Sequence, residues 1–106
     1  MDKDTALEVV ARFGKAVEAQ GVKPLKIVLF GSYSTGTHHE WSDIDLVVVS
    51  EDFADKGFWE RIEILSVAIC ELLEPIEAVA MTPEEWEKGD SLIAQFARQG
   101  EVVYAG

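Results

Sequence analysis

The stretch KIVLFGSYSTGTHHEWSDIDLVVV, residues 26–49, decides how this chain folds. Lys26 to Phe30 is a short, nearly continuous apolar run closed by Gly31, the pattern of a strand buried on both faces. Gly31 to Ser42 is rich in Gly, Ser, Thr and His, which predicts a loop or a single helical turn. Ile44 to Val49 predicts a second strand, because its valine run is too β-branched to favour a helix. Asp43 and Asp45 fall two apart at the start of that strand, so their carboxylates project from one face with Cα atoms about 6.5 Å apart. Two anions so placed repel unless a hard cation lies between them, and carboxylate oxygens with open water positions are what Mg²⁺ prefers. Gly31-Ser32 leaves the first strand at a turn where glycine lets the backbone approach a ligand and free N–H groups can hold phosphate. Taken singly, the Gly-Ser pair is only a turn and the Asp-x-Asp only solvated charge or a cap. Joined, they predict a nucleotide-phosphate and metal site, because Asp45 beside an apolar strand costs free energy unless it is paired or coordinated.

Working outward, Thr5 and Glu8 form a capping-box pattern, followed by Leu7, Val10, Gly14 and Val17 at helical spacing and by Gly21 as the helix stop. Phe58, Ile62, Leu65, Ile69 and Leu72 step by three and four, which predicts an amphipathic helix over 57–73 that Pro75 ends. Ile76 to Met81 predicts a third strand. Thr82-Pro83-Glu84-Glu85 supplies an N-cap, a Pro at the first position and a Glu at the third for a short helix carrying Trp86. A last helix over about 91–99 ends at Gly100, and Val102-Val103-Tyr104 reads as a closing strand. Cys70, within SVAICELL, is expected in the core. Trp59 and Trp86 are expected in core or interface packing, whereas Trp41 stands where it could wall a nucleotide pocket. His38 and His39 read as exposed loop residues. Without repeats or a linker, the order α-β-loop-β-α-β-α-α-β predicts one α/β domain over residues 1–106.

At 106 residues the chain has room for one core. Nine Lys and Arg against 20 Asp and Glu leave a net charge of −11, a field that repels nucleic-acid phosphates and anionic lipid. Non-specific nucleic-acid binding is therefore not expected, nor is a membrane partner. With 48% hydrophobic residues the chain is too apolar for an acidic disordered protein, yet no apolar run approaches the ~18 residues that span a bilayer. The start MDKDTALEVV has no apolar export segment, so a cytoplasmic location is expected. A single cysteine excludes an intramolecular disulfide and a Cys-based zinc site.

These residues resemble the minimal nucleotidyltransferases of the DNA-polymerase-β superfamily, whose signature is Gly-Ser, ten residues, then Asp-x-Asp. Here it stands as Gly31-Ser32, Tyr33 to Ser42 and Asp43-Ile44-Asp45, with Phe30, Gly36, Leu46 and the closing Gly100-Glu101-Val102-Val103-Tyr104 also in keeping with the family. The resemblance implies an α/β (α+β) fold, a small mixed β-sheet with helices packed mainly on one face. It implies transfer of AMP or another nucleoside monophosphate from an NTP, usually ATP, to an acceptor hydroxyl. Gly31 and Ser32 would hold the β- and γ-phosphates, and Asp43 and Asp45 would bind two Mg²⁺ ions. A third carboxylate on a later strand completes such sites and helps deprotonate the acceptor. Glu77 is the candidate in the third strand, where relatives more often carry Asp. Relatives also often carry Arg or Lys just before the second glycine, where this chain has Tyr33-Ser34-Thr35-Gly36. Family members of this kind act as antitoxins that adenylylate a tyrosine of a HEPN-domain RNase, so a HEPN-type partner is implied. The alternative is a catalytically weak binding module that neutralises its partner by contact alone, and metal-dependent nucleotide transfer separates the two.

Overall fold

In the computed structural model, which describes residues 1–105, the apolar run forms β1 (Lys26–Phe30) and the valine-rich run β2 (Ile44–Val49), paired antiparallel from Lys26 opposite Val49 to Phe30 opposite Asp45. β3 (Ile76–Met81) adds to β2 in parallel, and β4 (Glu101–Ala105) adds antiparallel to the far side of β1. The result is a mixed sheet in the order β3-β2-β1-β4.

Alternation along the strands divides the core. Ile27, Leu29, Ile44, Leu46 and Val48 belong to the larger cluster, together with residues of the two long helices, α1 (Lys3–Ala19) and α3 (Phe58–Leu72). Val28, Val47, Val49 and Met81 form a smaller cluster with Trp86, Ala94 and Ala97, from α4 (Pro83–Lys88) and α5 (Leu92–Ala97). The helices therefore pack mainly on one face, as expected. Among the described residues no helix is long and apolar enough to cross a membrane.

Three expectations need correction. The first helix starts before the Thr5 box: Asp2 is its N-cap and accepts the Thr5 N–H at 2.8 Å. That earlier start places Ala6 and Val9 in the buried face beside Val10, Phe13 and Val17. Along α3, Leu65, Ala68 and Leu72 are buried, but Phe58 and Ile62 are 69% and 40% exposed, because the helix overhangs the edge of the sheet. Cys70 lies on the outer side of the same helix and is exposed. Trp86 does pack as expected, and Lys26 and Arg98 each lie 5.0 Å from its ring centroid.

The short α4 is held by a full capping box. Thr82 Oγ1 accepts the Glu85 N–H at 3.1 Å, and Glu85 Oε1 accepts both the Thr82 N–H at 2.8 Å and Arg61 Nη1 at 2.7 Å. Burial pushes the Glu85 carboxyl up, but the Thr82 N–H and Arg61 outweigh it and hold it below the usual glutamate range. Its stabilising effect is present at neutral pH and is lost as pH falls through that lowered value. Thr82→Ala is expected to cost about 1 kcal/mol, read as a lower urea midpoint with an unchanged slope.

Candidate active site

The chain leaves β1 through Gly31, at φ 74° and ψ −153°, a conformation open to glycine and hardly to other residues. It then makes a single helical turn, α2 (Ser32–Thr35), stopped by Gly36 at φ 79°. The Ser34 and Thr35 N–H groups bond the Gly31 carbonyl at 3.1 and 3.2 Å. The Ser32 and Tyr33 N–H groups open the turn and have no partner within it. Tyr33, an apolar ring in a polar stretch, anchors the turn: it is fully buried and stacks on His38 with centroids 4.3 Å apart. His38 is thus half-buried rather than an exposed loop residue, while His39 is exposed and accepts the Trp41 N–H at Nδ1. Trp41 is 83% exposed.

Asp45 and Glu77 are direct register partners across β2 and β3, so both side chains lie on the face that carries α4 and α5. Phe30 stands opposite Asp45 on the other side. Asp43 lies just ahead of β2 and, like Glu77, is exposed, whereas Asp45 is half-buried. Burial first, then the charges of Glu77 and Asp43, hold the Asp45 carboxyl above the usual aspartate range. A Cβ on Gly31 would collide with Asp45 Oδ2 and lie 3.2 Å from its Cγ, so the turn and the carboxylate are in contact. All five residues singled out in the sequence, Gly31, Ser32, Asp43, Asp45 and Glu77, therefore meet at one end of the sheet. A cavity of about 250 Å³ opens beside the turn, bounded by Phe30, Gly31 and Ser34 and by Phe96 and Gln99.

Among the described residues no three His, Cys, Asp or Glu side chains converge as a ready metal cluster. The donor set nevertheless fits a hard divalent cation: it consists of carboxylates, and their mutual repulsion is what raises Asp45 beyond the effect of burial. Gly31→Ala is expected to destabilise the domain by about 1–3 kcal/mol, through backbone strain and displacement of the Asp45 carboxylate. Thermal melts and nucleotide titration of the variant check both effects.

A mixed sheet with a Gly-Ser turn leaving one strand and carboxylates at the start of the next two is the architecture of a polymerase-β-like nucleotidyltransferase. The nucleotidyltransferase domain family matches residues 10–98, and the chain belongs to that family. It is similar to the protein adenylyltransferase MntA of Shewanella oneidensis, 48% identical over 44 residues, which are 41% of this chain and 32% of that protein. The match thus spans about a third of the length of that curated relative. A proposed nucleotidyltransferase from Sulfolobus solfataricus shares the fold at a TM-score of 0.72 and 13% identity, over 97% of this chain and 83% of that one. A toxin-antitoxin structure solved with AMP-PNP aligns at a TM-score of 0.64 and 25% identity, over 94% of this chain and 73% of that one.

Proposed function

We propose that residues 1–106 form one minimal nucleotidyltransferase domain that, with Mg²⁺, transfers AMP from ATP to an acceptor hydroxyl, a tyrosine of a HEPN-type toxin. The observation that carries the chemistry is the row Glu77–Asp45 across two strands, with Gly31 packed against the Asp45 carboxylate. The similarity to an adenylyltransferase and to a toxin-antitoxin structure supports the choice of donor and partner.

Asp43, Asp45 and Glu77 would hold two Mg²⁺ ions. When bound, these polarise the acceptor oxygen and offset charge on the leaving pyrophosphate. The Ser32 hydroxyl and the N–H groups that open the turn hold the β- and γ-phosphates, which orients the α-phosphorus toward the carboxylate row. Glu77, on the exposed edge strand, takes the proton of the acceptor hydroxyl as its oxygen bonds to the α-phosphorus and the bond to the β-phosphate oxygen breaks. Backbone and hydroxyl donors carry the triphosphate here, since residues 33–35 of the turn supply no Lys or Arg. Incubation with ATP labelled at the α-phosphate, Mg²⁺ and a HEPN-type toxin that the chain neutralises should transfer label to that protein and release pyrophosphate. Neutralisation of the toxin without any transfer of label would instead establish the binding module.

A further inference from the structure

α5 is short, and small residues fix one side of it to the sheet. Ala94 and Ala97 are buried in the cluster that holds Trp86, and Ser91 caps the first turn by accepting the Ala94 N–H at 3.1 Å. The turn that follows is seated on β1, where Gly100 lies so close that a Cβ would collide with the Leu29 carbonyl. Arg98 is drawn toward α4: its Nη2 donates to the Trp86 carbonyl and, at 2.9 Å, to that of Glu87. The segment is thus anchored at several points, yet it leaves the Phe96 ring 61% exposed and Gln99 exposed beside it.

Both residues line the cavity of about 250 Å³ beside the Gly-Ser turn, together with Phe30, Gly31 and Ser34. Two aromatic rings and one amide therefore stand around it, and among the described residues no charged side chain does. Sites that enclose a whole drug-sized ligand measure about 300–1,000 Å³, so this one takes a part of a molecule. Its position says which part. Phe30 is the direct partner of Asp45 in the β1–β2 ladder, and such partners have Cα atoms about 5 Å apart. The cavity thus lies one strand away from the carboxylate row and shares Gly31 with the turn, so one nucleotide folded about Gly31 can reach both. In a nucleotide the base is separated from the α-phosphorus by a single ribose. A cavity of rings without a cation offers little to phosphate, whereas it matches the flat face of a base.

We propose that Phe96 and Gln99 form the base subsite of the nucleotide site, with Phe96 stacking on the base and Gln99 selecting adenine; this rests on the nucleotidyltransferase reading above. Stacking on Phe96 is indifferent to which base is present, because every base has a π-face. Selection falls to Gln99. Its amide presents a donor beside an acceptor, which adenine meets at N7 and N6, whereas guanine shows acceptors at both N7 and O6 on that edge. Arg98 would favour the guanine edge from the same segment, but it is held by the α4 carbonyls.

Calorimetric titration of the full chain with ATP, GTP and inorganic tripolyphosphate, each with Mg²⁺ and without a protein partner, tests the assignment. The wild type should bind ATP more tightly than GTP, and both more tightly than tripolyphosphate. Phe96→Ala should weaken ATP by about tenfold or more, leave tripolyphosphate unchanged and retain the circular dichroism spectrum, while Phe96→Trp should keep ATP affinity. Gln99→Leu should reduce the preference for ATP over GTP by about fivefold or more. Equal affinity of the wild type for ATP and tripolyphosphate, or an unchanged ATP affinity in Phe96→Ala, overturns the base subsite and leaves the carboxylate site standing. A variant that loses only affinity for the protein acceptor would assign the cavity to that acceptor and overturn the proposal as well. A wild type that binds neither ATP nor tripolyphosphate overturns the nucleotidyltransferase reading, and the base subsite with it.

Discussion

Replacing both Asp43 and Asp45 by Asn is expected to abolish Mg²⁺-dependent ATP binding while the fold survives. Calorimetric titration of the wild type should show Mg²⁺ or Mn²⁺ binding that strengthens with ATP, since the triphosphate supplies further oxygen ligands. Loss of two carboxylate ligands should weaken that binding by more than about 100-fold, beyond what residues outside the coordination sphere usually cost. Stability should move the other way. Folding holds the Asp45 carboxyl above the usual aspartate range, so wherever it is ionised its charge opposes folding. The metal-free double variant should therefore melt at least as high as the wild type. Unchanged metal and ATP affinity would remove Asp43 and Asp45 from the site.

The second large effect belongs to Glu77. As the register partner of Asp45 on an exposed edge strand it can reach both metal and acceptor, whereas the Gly31 turn stands on the far side of β2. Glu77→Gln should leave ATP binding largely intact and lower the transfer rate by about 10² or more, the scale of a lost positioned base. Glu77→Asp should retain activity, because the shorter carboxylate is the one relatives use more often. Single-turnover rates at saturating ATP separate the two effects. A wild-type rate in Glu77→Gln reduces the residue to a strand-edge charge.

What could be read from the sequence follows from how local each signal is. β1, β2 and β3 were legible residue for residue, since apolar runs bounded by Gly31, Ser42 and Pro75 carry their own limits. The α4 capping box was legible for the same reason. The short 3-10 turn Glu51–Phe53 was not anticipated, although Ser50 followed by two acids is a cap signal, and the Ser50 hydroxyl does accept the Asp52 N–H. At α1 the Thr5 pattern drew the start too late, since Asp2 also caps and begins the helix earlier, with Ala6 in its buried face. At α3 the periodicity of Phe58 to Leu72 was real, but periodicity cannot tell where the sheet beneath a helix ends. Cys70 was misplaced because SVAICELL is apolar on more than one side of the helix, and only the packing against α1 and β3 selects the buried face. The carboxylate row depends on the β2–β3 register, a pairing across more than 30 residues that strand parity made plausible and only the fold supplies.

Transfer of AMP to a protein acceptor is tested most directly by the intact mass of the HEPN-type partner after incubation with the chain, ATP and Mg²⁺. The expected result is a gain of one or more AMP units of roughly 329 Da each, located on a tyrosine. The gain should be absent with chelator and with the Asp43→Asn, Asp45→Asn variant. No mass gain on the partner, together with full neutralisation of its activity by that double variant, would contradict transfer and leave binding alone as the function.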